Sequence, residues 1–297
     1  MLVNVYAINK ELPMGFGDFI RGCVTCHQLS LKNKFDFDFD LKKFSKFYKS
    51  EEVLLKKSIY TEALPKAINI NLLEKNLNSL LRFKRQSNLN DTDLFVLTNA
   101  WPKGTAEKHE KIEDRLKQKT WGKISKETKD FIKSRLIPID FQSEFIKNLP
   151  KKYEVVHIRA GDHISFINAI NKKSLDIHNK LIEVNSFDEL IKAAVSRISK
   201  ILKKTKHPLI ILSDSDKVKD DMGIAYAELI TKGKIFISEV NAKHSGVDGL
   251  QETFHDLTIL NNAKEIHQLS VYNWGSGFSN IAHHIYDVPI KRYPKLK

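Results

Sequence analysis

The sequence predicts an α/β protein with two parallel-sheet halves, and three observations support this class. The first half opens with a strand, a glycine loop, a helix and a second strand, in that order. The second half alternates short apolar strands with helices. The chain has 297 residues, of which 41% are apolar, and this is enough to form two domain cores.

In the first half, residues 2–8 alternate apolar residues with Asn4, which predicts a strand. A loop with Gly15 and Gly17 follows, and a helix is predicted from Asp18 as its N-cap. The further predicted elements are a strand over 35–41, short helices within 42–90, a strand over 93–98 and a helix over 107–136 that stops before Pro138.

The second half gives the clearer pattern. The predicted strands cover 153–158, 208–212, 234–237 and 265–271, and the predicted helices cover 187–203, 222–231, 253–262 and 276–285. This alternation predicts a doubly wound parallel sheet. We therefore expect two Rossmann-like domains with a cleft between them, residues 1–145 and 146–297.

The chain is basic, with a net charge of +13 that comes mostly from lysine. One interpretation of such a surface is no more than a set of solvated lysine-rich faces. The alternative is that it attracts an anionic partner: a phosphorylated glycan, a lipid-linked acceptor at a membrane surface, or nucleic acid. No nucleic-acid motif is present. The N-terminal residues show no signal-peptide pattern and no run of ~18 apolar residues occurs. We expect a cytoplasmic protein, with peripheral association to an anionic membrane surface as an open alternative.

Cys23 and Cys26 are the two cysteines, and His27 follows them. The spacing C-x-x-C-H is typical of covalent haem attachment. Haem attachment requires export, and because no export signal is visible we reject it. Two cysteines also do not complete a four-ligand zinc site. Since residues three apart share a helix face, we predict two reduced thiols on a buried face.

Ligands of doubly wound sheets bind beyond the carboxyl ends of the strands, and polar clusters fall at these positions. Gly15 and Gly17 follow the first strand, where glycines let the backbone approach a ligand closely. The alternative for this loop is a simple tight turn.

The segment after the strand at 153–158 carries His157, Arg159 and Asp162. The planar fork of Arg159 suits phosphate, and a cation there stabilises the charge that grows on a leaving nucleoside diphosphate. His157 can donate to a base or a ribose, and Asp162 can orient Arg159. The alternative is a salt bridge at the end of the strand.

Two further clusters follow later strands. Asp214 lies in Ser213-Asp214-Ser215-Asp216, where hydroxyl and carboxylate groups suit ribose hydroxyls, and helix capping is the alternative. The last predicted helix opens with Ser276, Gly277, Phe278 and Ser279. Small residues and hydroxyls at a helix N-terminus form a phosphate cradle, with capping again as the alternative.

Two D-x-D patterns raise the question of a metal. Asp36, Asp38 and Asp40 alternate with Phe along a strand, so we interpret them as one solvated face. The pattern at Asp214 and Asp216 suits nucleotide contact better than a metal. We predict no metal requirement.

The segments GFGDFIRG, HIRAGD, LSDSD and GSGFSNIA, in this order, resemble the fucosyltransferase superfamily of GT-B fold. This superfamily includes α-1,2-, α-1,6- and protein O-fucosyltransferases and the nodulation-type bacterial enzymes. The element around Arg159 is most similar to the α-1,2 group, which usually has a second arginine where this chain has Ala160. The resemblance covers the donor half and the glycine loop, and leaves residues 42–135 unmatched.

The resemblance implies a GT-B fold and metal-independent, inverting transfer from GDP-fucose to a glycan or lipid-linked glycan. It implies that Arg159 holds the β-phosphate and that His157 lies against the nucleoside. It further implies that Asp256 reads guanine and that the residues from Ser276 to Ser279 hold the phosphates.

An inverting reaction uses a general base near the acceptor hydroxyl, or a dissociative path that hardly needs one. Asp18, Asp162 and His163 are the candidates by position. Two other functions stay open: the same fold with another nucleotide sugar or a diverged activity, and a non-enzymatic basic protein that binds an anionic polymer.

Overall fold

The computed structural model describes residues 2–5, 15–40, 68–69, 94–97, 121–136, 143–160, 187–240, 250–270 and 275–293. Its contacts divide the chain into two compact units. The first comprises Met1–Asp140 with His284–Tyr286, and the second Phe141–His283 with Asp287–Lys297. Within the described ranges, no helix combines the length and the apolarity that crossing a bilayer requires.

The first unit contains one parallel sheet of four strands in the order β2-β1-β4-β3. Its elements are β1 (Leu2–Val5), α1 (Phe16–Asn33), β2 (Phe37–Asp40), β3 (Ile68–Asn69), β4 (Leu94–Leu97) and α2 (Lys126–Arg135). The strand β1 lies in the middle and Leu2 and Val3 are buried in it. The sheet is parallel because α1 carries the chain from β1 back to the start of β2.

Helix α1 begins at Phe16, with Gly15 rather than Asp18 as its N-cap. The predicted N-cap was therefore wrong: Asp18 lies in the first turn, where its carboxylate accepts from Arg21 Nη1 at 2.7 Å. The helix is buried on most of its surface, because β1, β2 and α2 pack around it. Cys23 and Cys26 are free and fully buried on it, which confirms the predicted thiols.

The acidic strand β2 differs from its prediction. Asp36 is exposed, but Asp38 is buried at 5% exposure, so the interpretation of one solvated face was wrong for Asp38. Arg135 of α2 lies 3.3 Å from Asp38 Oδ1 and supplies the countercharge. Burial raises the pKa of Asp38, while Arg135 lowers it.

The second unit contains a parallel sheet of five strands in the order β7-β6-β5-β8-β9. The elements up to β6 are α3 (Glu144–Lys147), β5 (Glu154–Arg159), α4 (Phe187–Leu202) and β6 (Leu209–Ser213). Those that follow are α5 (Asp216–Ala225), α6 (Ala227–Thr231), β7 (Ile235–Ile237), α7 (Leu250–Asn261), β8 (Ile266–Ser270), α8 (Gly277–Tyr286) and β9 (Ile290–Tyr293). The last residues of α8, His284–Tyr286, are grouped with the first unit. Two parallel sheets with helices between the strands confirm the α/β class.

Several predicted elements need correction. Residues 121–125 are not helical, so the helix predicted over 107–136 is limited in the described part to α2. The helix predicted over 222–231 begins earlier and breaks at Tyr226 into α5 and α6. A short strand, β3, lies where helices were expected, and β9 was not predicted.

The core of the second unit determines which side chains of β5 are left for the opposite face of its sheet. Helix α4 buries Leu190, Ala194 and Ile198 against one face of the sheet, where Val156 and Ile158 of β5 also lie. Side chains alternate along a strand. His157 and Arg159 therefore point to the opposite face, toward α8.

Candidate functional site

Arg159 is the last residue of β5 and lies at the carboxyl edge of the sheet. Its side chain is buried, at 8% exposure, and Nη1 donates to Asp214 Oδ2. Asp214 follows β6, and its other oxygen accepts from the Ala160 backbone N–H at 2.7 Å. One carboxylate therefore fixes both the guanidinium and the backbone that follows β5.

This ion pair is the strand-end salt bridge that was the alternative for Arg159. The oxygens of Asp214 engage Arg159 and Ala160, and its predicted contact with a ribose stays a prediction. A guanidinium has five N–H donors, so an ion pair through Nη1 does not exclude a phosphate contact. The pair also orients the guanidinium.

His157 connects the same strand to the start of α8. It is buried, its Nδ1 is hydrogen-bonded to Ser279 Oγ, and its ring meets the Phe278 ring edge-on at 5.9 Å. Desolvation lowers the pKa of His157 to about 4, Asp214 opposes this shift and Arg159 adds to it. The imidazole is therefore neutral at pH 7, with one N–H donor and one acceptor nitrogen.

Helix α8 begins with Ser276 as its N-cap, and Ser276 Oγ accepts from the Phe278 N–H at 3.3 Å. The capping alternative is therefore part of the structure. Ser276 and Ser279 are both buried, at 3% and 0% exposure. The N–H groups of the first turn and the helix dipole still make this end of α8 favourable for an anion, beside Gly277 and Phe278.

The turn before α8 is held by a residue that the sequence analysis missed. Gln268 of β8 is 1% exposed, and its Nε2 donates to the Ser276 carbonyl at 3.1 Å. Gly275 has φ +77°, and a methyl group there would overlap Gln268 Oε1 and lie 3.0 Å from its Cδ. The feature that could have pointed to Gln268 is a glutamine within a fully buried strand. In the β5–β8 register it lies opposite His157.

Asp256 lies on α7 and is 2% exposed. Its Oδ1 accepts from Ser238 Oγ at 2.7 Å, and His255 Nδ1 lies 3.3 Å away. Desolvation raises the pKa of Asp256, and these two hydrogen bonds lower it. The part of the chain that the structure describes gives Asp256 no contact with Arg159 or Ser279, so its predicted contact with guanine stays a prediction.

The remaining predicted site residues lie in the first unit or outside the described residues. Gly15, Gly17 and Asp18 belong to the first unit, and Asp18 is paired with Arg21 there. Asp162 and His163 lie outside the described residues. The structure thus brings together Arg159, Asp214, His157 and the start of α8, and leaves the acceptor base as predicted from position alone.

Comparison with known proteins finds solved structures that are similar to this chain. No family model matches it, and no curated protein does. The chain is similar in structure to POFUT1 and NodZ. The values are a TM-score of 0.47 and 11% identity for POFUT1 in complex with GDP-fucose, over 98% of this chain and 97% of that chain. For POFUT1 in complex with GDP they are 0.45 and 12%, over 98% of both.

For NodZ alpha-1,6-fucosyltransferase soaked with GDP-fucose the TM-score is 0.44 and the identity 11%, over 96% of this chain and 91% of that chain.

Proposed function

We propose that this chain is an inverting glycosyltransferase that transfers a sugar, fucose from GDP-fucose, to a glycan or lipid-linked glycan without a metal. The observation that carries the proposal is the edge of the sheet where β5 and β8 end. Arg159 is opposite Ser270 in the register, and the chain leads from Ser270 to the N-terminus of α8. A buried guanidinium and a helix N-terminus thus lie at one edge.

This arrangement suits a diphosphate leaving group. In the proposed reaction the acceptor oxygen attacks the anomeric carbon as the bond from that carbon to the β-phosphate oxygen breaks. Negative charge then grows on the diphosphate, where Arg159 and the first N–H groups of α8 stabilise it. The acceptor proton goes to a base, for which Asp18, Asp162 and His163 remain the candidates. His157 is neutral, so it adds no charge, and it makes a polar contact with the nucleoside of the donor.

The same charges support metal-independent transfer. A diphosphate group needs positive charge for binding and departure, and Arg159 with the helix dipole supplies it. The carboxylate of the nearest D-x-D pattern, Asp214, is engaged by Arg159, so using it as a metal ligand would break a buried ion pair.

The identity of the donor is proposed from the motif set. The motifs HIRAGD and GSGFSNIA contain His157, Arg159 and the start of α8, which the structure brings together. Another nucleotide sugar on the same fold is the second candidate, because no described side chain is seen to read the base.

The test is a calorimetric titration of the full chain with GDP-fucose in EDTA, with a UDP-sugar in parallel. Arg159→Lys keeps a positive charge opposite Asp214 but removes the planar fork, so we expect at least tenfold weaker GDP binding and lower turnover. Arg197→Lys is the matched control, since Arg197 lies over Tyr293 at the other end of the sheet.

Two outcomes would remove the proposal. Tight binding of the UDP-sugar without binding of GDP-fucose would contradict the donor. Equal effects of the two arginine variants would contradict the site. Salt-dependent binding of random duplex DNA with no nucleotide-sugar affinity would favour the anionic-polymer alternative instead.

A further inference from the structure

The second unit carries a cavity of about 340 Å³ at the amino-terminal ends of its strands. Its walls come from the starts of β5, β8 and β9 and from the C-terminal half of α4. The register pairs Val155 with Ile266, so Glu154 and Glu265 lie opposite each other on the face that α4 covers. This cavity is at the other end and on the other face of β5 from Arg159, and the six residues of β5 span roughly 16 Å.

The two carboxylates in the cavity are already engaged. Glu154 accepts from His267 Nε2 at 2.8 Å and from Thr205 Oγ1 at 2.7 Å. Glu265 accepts from Lys291 Nζ at 2.6 Å. The other ring nitrogen of His267 is 3.1 Å from the Tyr293 hydroxyl. The acidic side chains are thus held in place within a network of hydrogen bonds.

The cations in the cavity are not balanced in this way. Arg197, Lys200, Lys203 and Lys204 line it together with Lys291, which makes five cations against two carboxylates. Of the first four, none forms an ion pair within the described parts of the chain, and Arg197 instead lies 4.7 Å from the centre of the Tyr293 ring. The C-terminus of α4 favours lysines at this place. Their convergence on one concave surface with Arg197 and Lys291 leaves a local excess of positive charge.

We propose that this cavity binds a phosphate ester that also carries hydroxyl groups. Its unbalanced cations attract the phosphate, and the oxygens of Glu154 and Glu265 accept from neighbouring hydroxyls, because each carboxylate oxygen has more than one lone pair. The volume lies in the range of small-molecule sites. The ligand is either a soluble sugar phosphate or the glycerol phosphate headgroup of a lipid, which share this chemistry.

A divalent cation is the competing occupant. Ligand atoms of Glu154, Glu265 and His267 all lie within 4.8 Å of one another, as in a metal site. A cation would have to displace Lys291 from Glu265 and the His267 proton from Glu154, with further positive side chains around it. The charge balance therefore favours an anion.

The test measures the binding of glucose 6-phosphate to the full chain by titration calorimetry at low ionic strength. The variant K200Q/K203Q/K204Q removes three cations from the cavity, and K192Q/K206Q/K234Q removes three exposed lysines from elsewhere in the same unit at the same net charge. We expect the first variant to bind at least about tenfold more weakly and the second to stay within about twofold of the parent. Cosedimentation with phosphatidylglycerol vesicles tests the headgroup source with the same pair of variants.

Glu265→Gln tests whether the cavity prefers an anion or a cation as its ligand. An anion site should bind glucose 6-phosphate or the vesicles at least as tightly after this change, because the amide oxygen of Gln still accepts from a ligand hydroxyl while a negative charge is lost. The proposal is overturned by equal effects of the two triple variants, by no binding of either probe, or by Mn²⁺ binding that Glu265→Gln abolishes. Arg159→Lys should leave the affinity unchanged, so the result stands apart from the outcome of the donor titration.

Discussion

Gly275→Ala is the substitution for which the structure gives the sharpest expectation. Gly275 precedes the N-cap of α8 at φ +77°, where a residue with a Cβ is strained. A methyl group would also overlap Oε1 of Gln268, a residue of β8 whose side chain is buried. Gln268 would have to move, and its hydrogen bond to the Ser276 carbonyl would be lost.

The magnitude can be worked out from these parts. The left-handed backbone costs about 1 kcal/mol for a residue with a Cβ. Loss of the Gln268 hydrogen bond adds about 1 kcal/mol, and overpacking adds about 1–3 kcal/mol. We therefore expect Gly275→Ala to lower the free energy of unfolding by about 3–5 kcal/mol.

Gly233 offers a matched control in the same unit. It has φ +63° with nothing within 4 Å of an added methyl group, so Gly233→Ala should cost only the backbone strain of about 1 kcal/mol. Urea unfolding followed by circular dichroism measures both variants. In a double-mutant cycle, Gln268→Ala should recover at least about 1 kcal/mol of the Gly275→Ala loss. Equal losses for the two glycine variants would refute the reasoning.

Buried titratable groups give two further expectations. His157 has its pKa lowered to about 4 by burial, whereas the unfolded chain takes up the proton near 6.5, so its contribution to stability is complete above pH 6.5 and is lost as the pH falls toward 4. Between pH 7 and pH 5 this loss is about 2 kcal/mol, and urea unfolding of His157→Asn should show a shallower pH dependence than the parent by that amount. Burial raises the pKa of both Cys23 and Cys26, so neither thiol should react with a disulfide reagent at pH 8 in the native protein, and both should react in urea. Rapid labelling of the folded chain would contradict the buried placement of α1.

The parts that could be predicted from the sequence are those with local signals. The strand β6 is a short, mostly apolar run, and the start of α8 is marked by small hydroxyl residues. Parallel strands bring their carboxyl ends to one edge, so the placement of Arg159 near the start of α8 followed from topology.

The parts that could not be predicted depend on partners far apart in sequence. The alternation of Phe and Asp in β2 indicates a half-exposed strand, but Arg135 from α2 allows Asp38 to be buried. The strand β9 carries Lys291 and Arg292 among apolar residues and is only partly buried, so its hydrophobic signal is weak. The polar residues at the strand ends were recognised, but their spacing does not say that Asp214 bonds to Arg159.

The length of β5 has a consequence for how the second unit responds to ions. The strand separates Arg159 from the end that borders the cavity by roughly 16 Å, which is about twice the screening length in physiological salt. A change of charge at one end is therefore hardly felt at the other, and substitutions at the two ends should have additive effects.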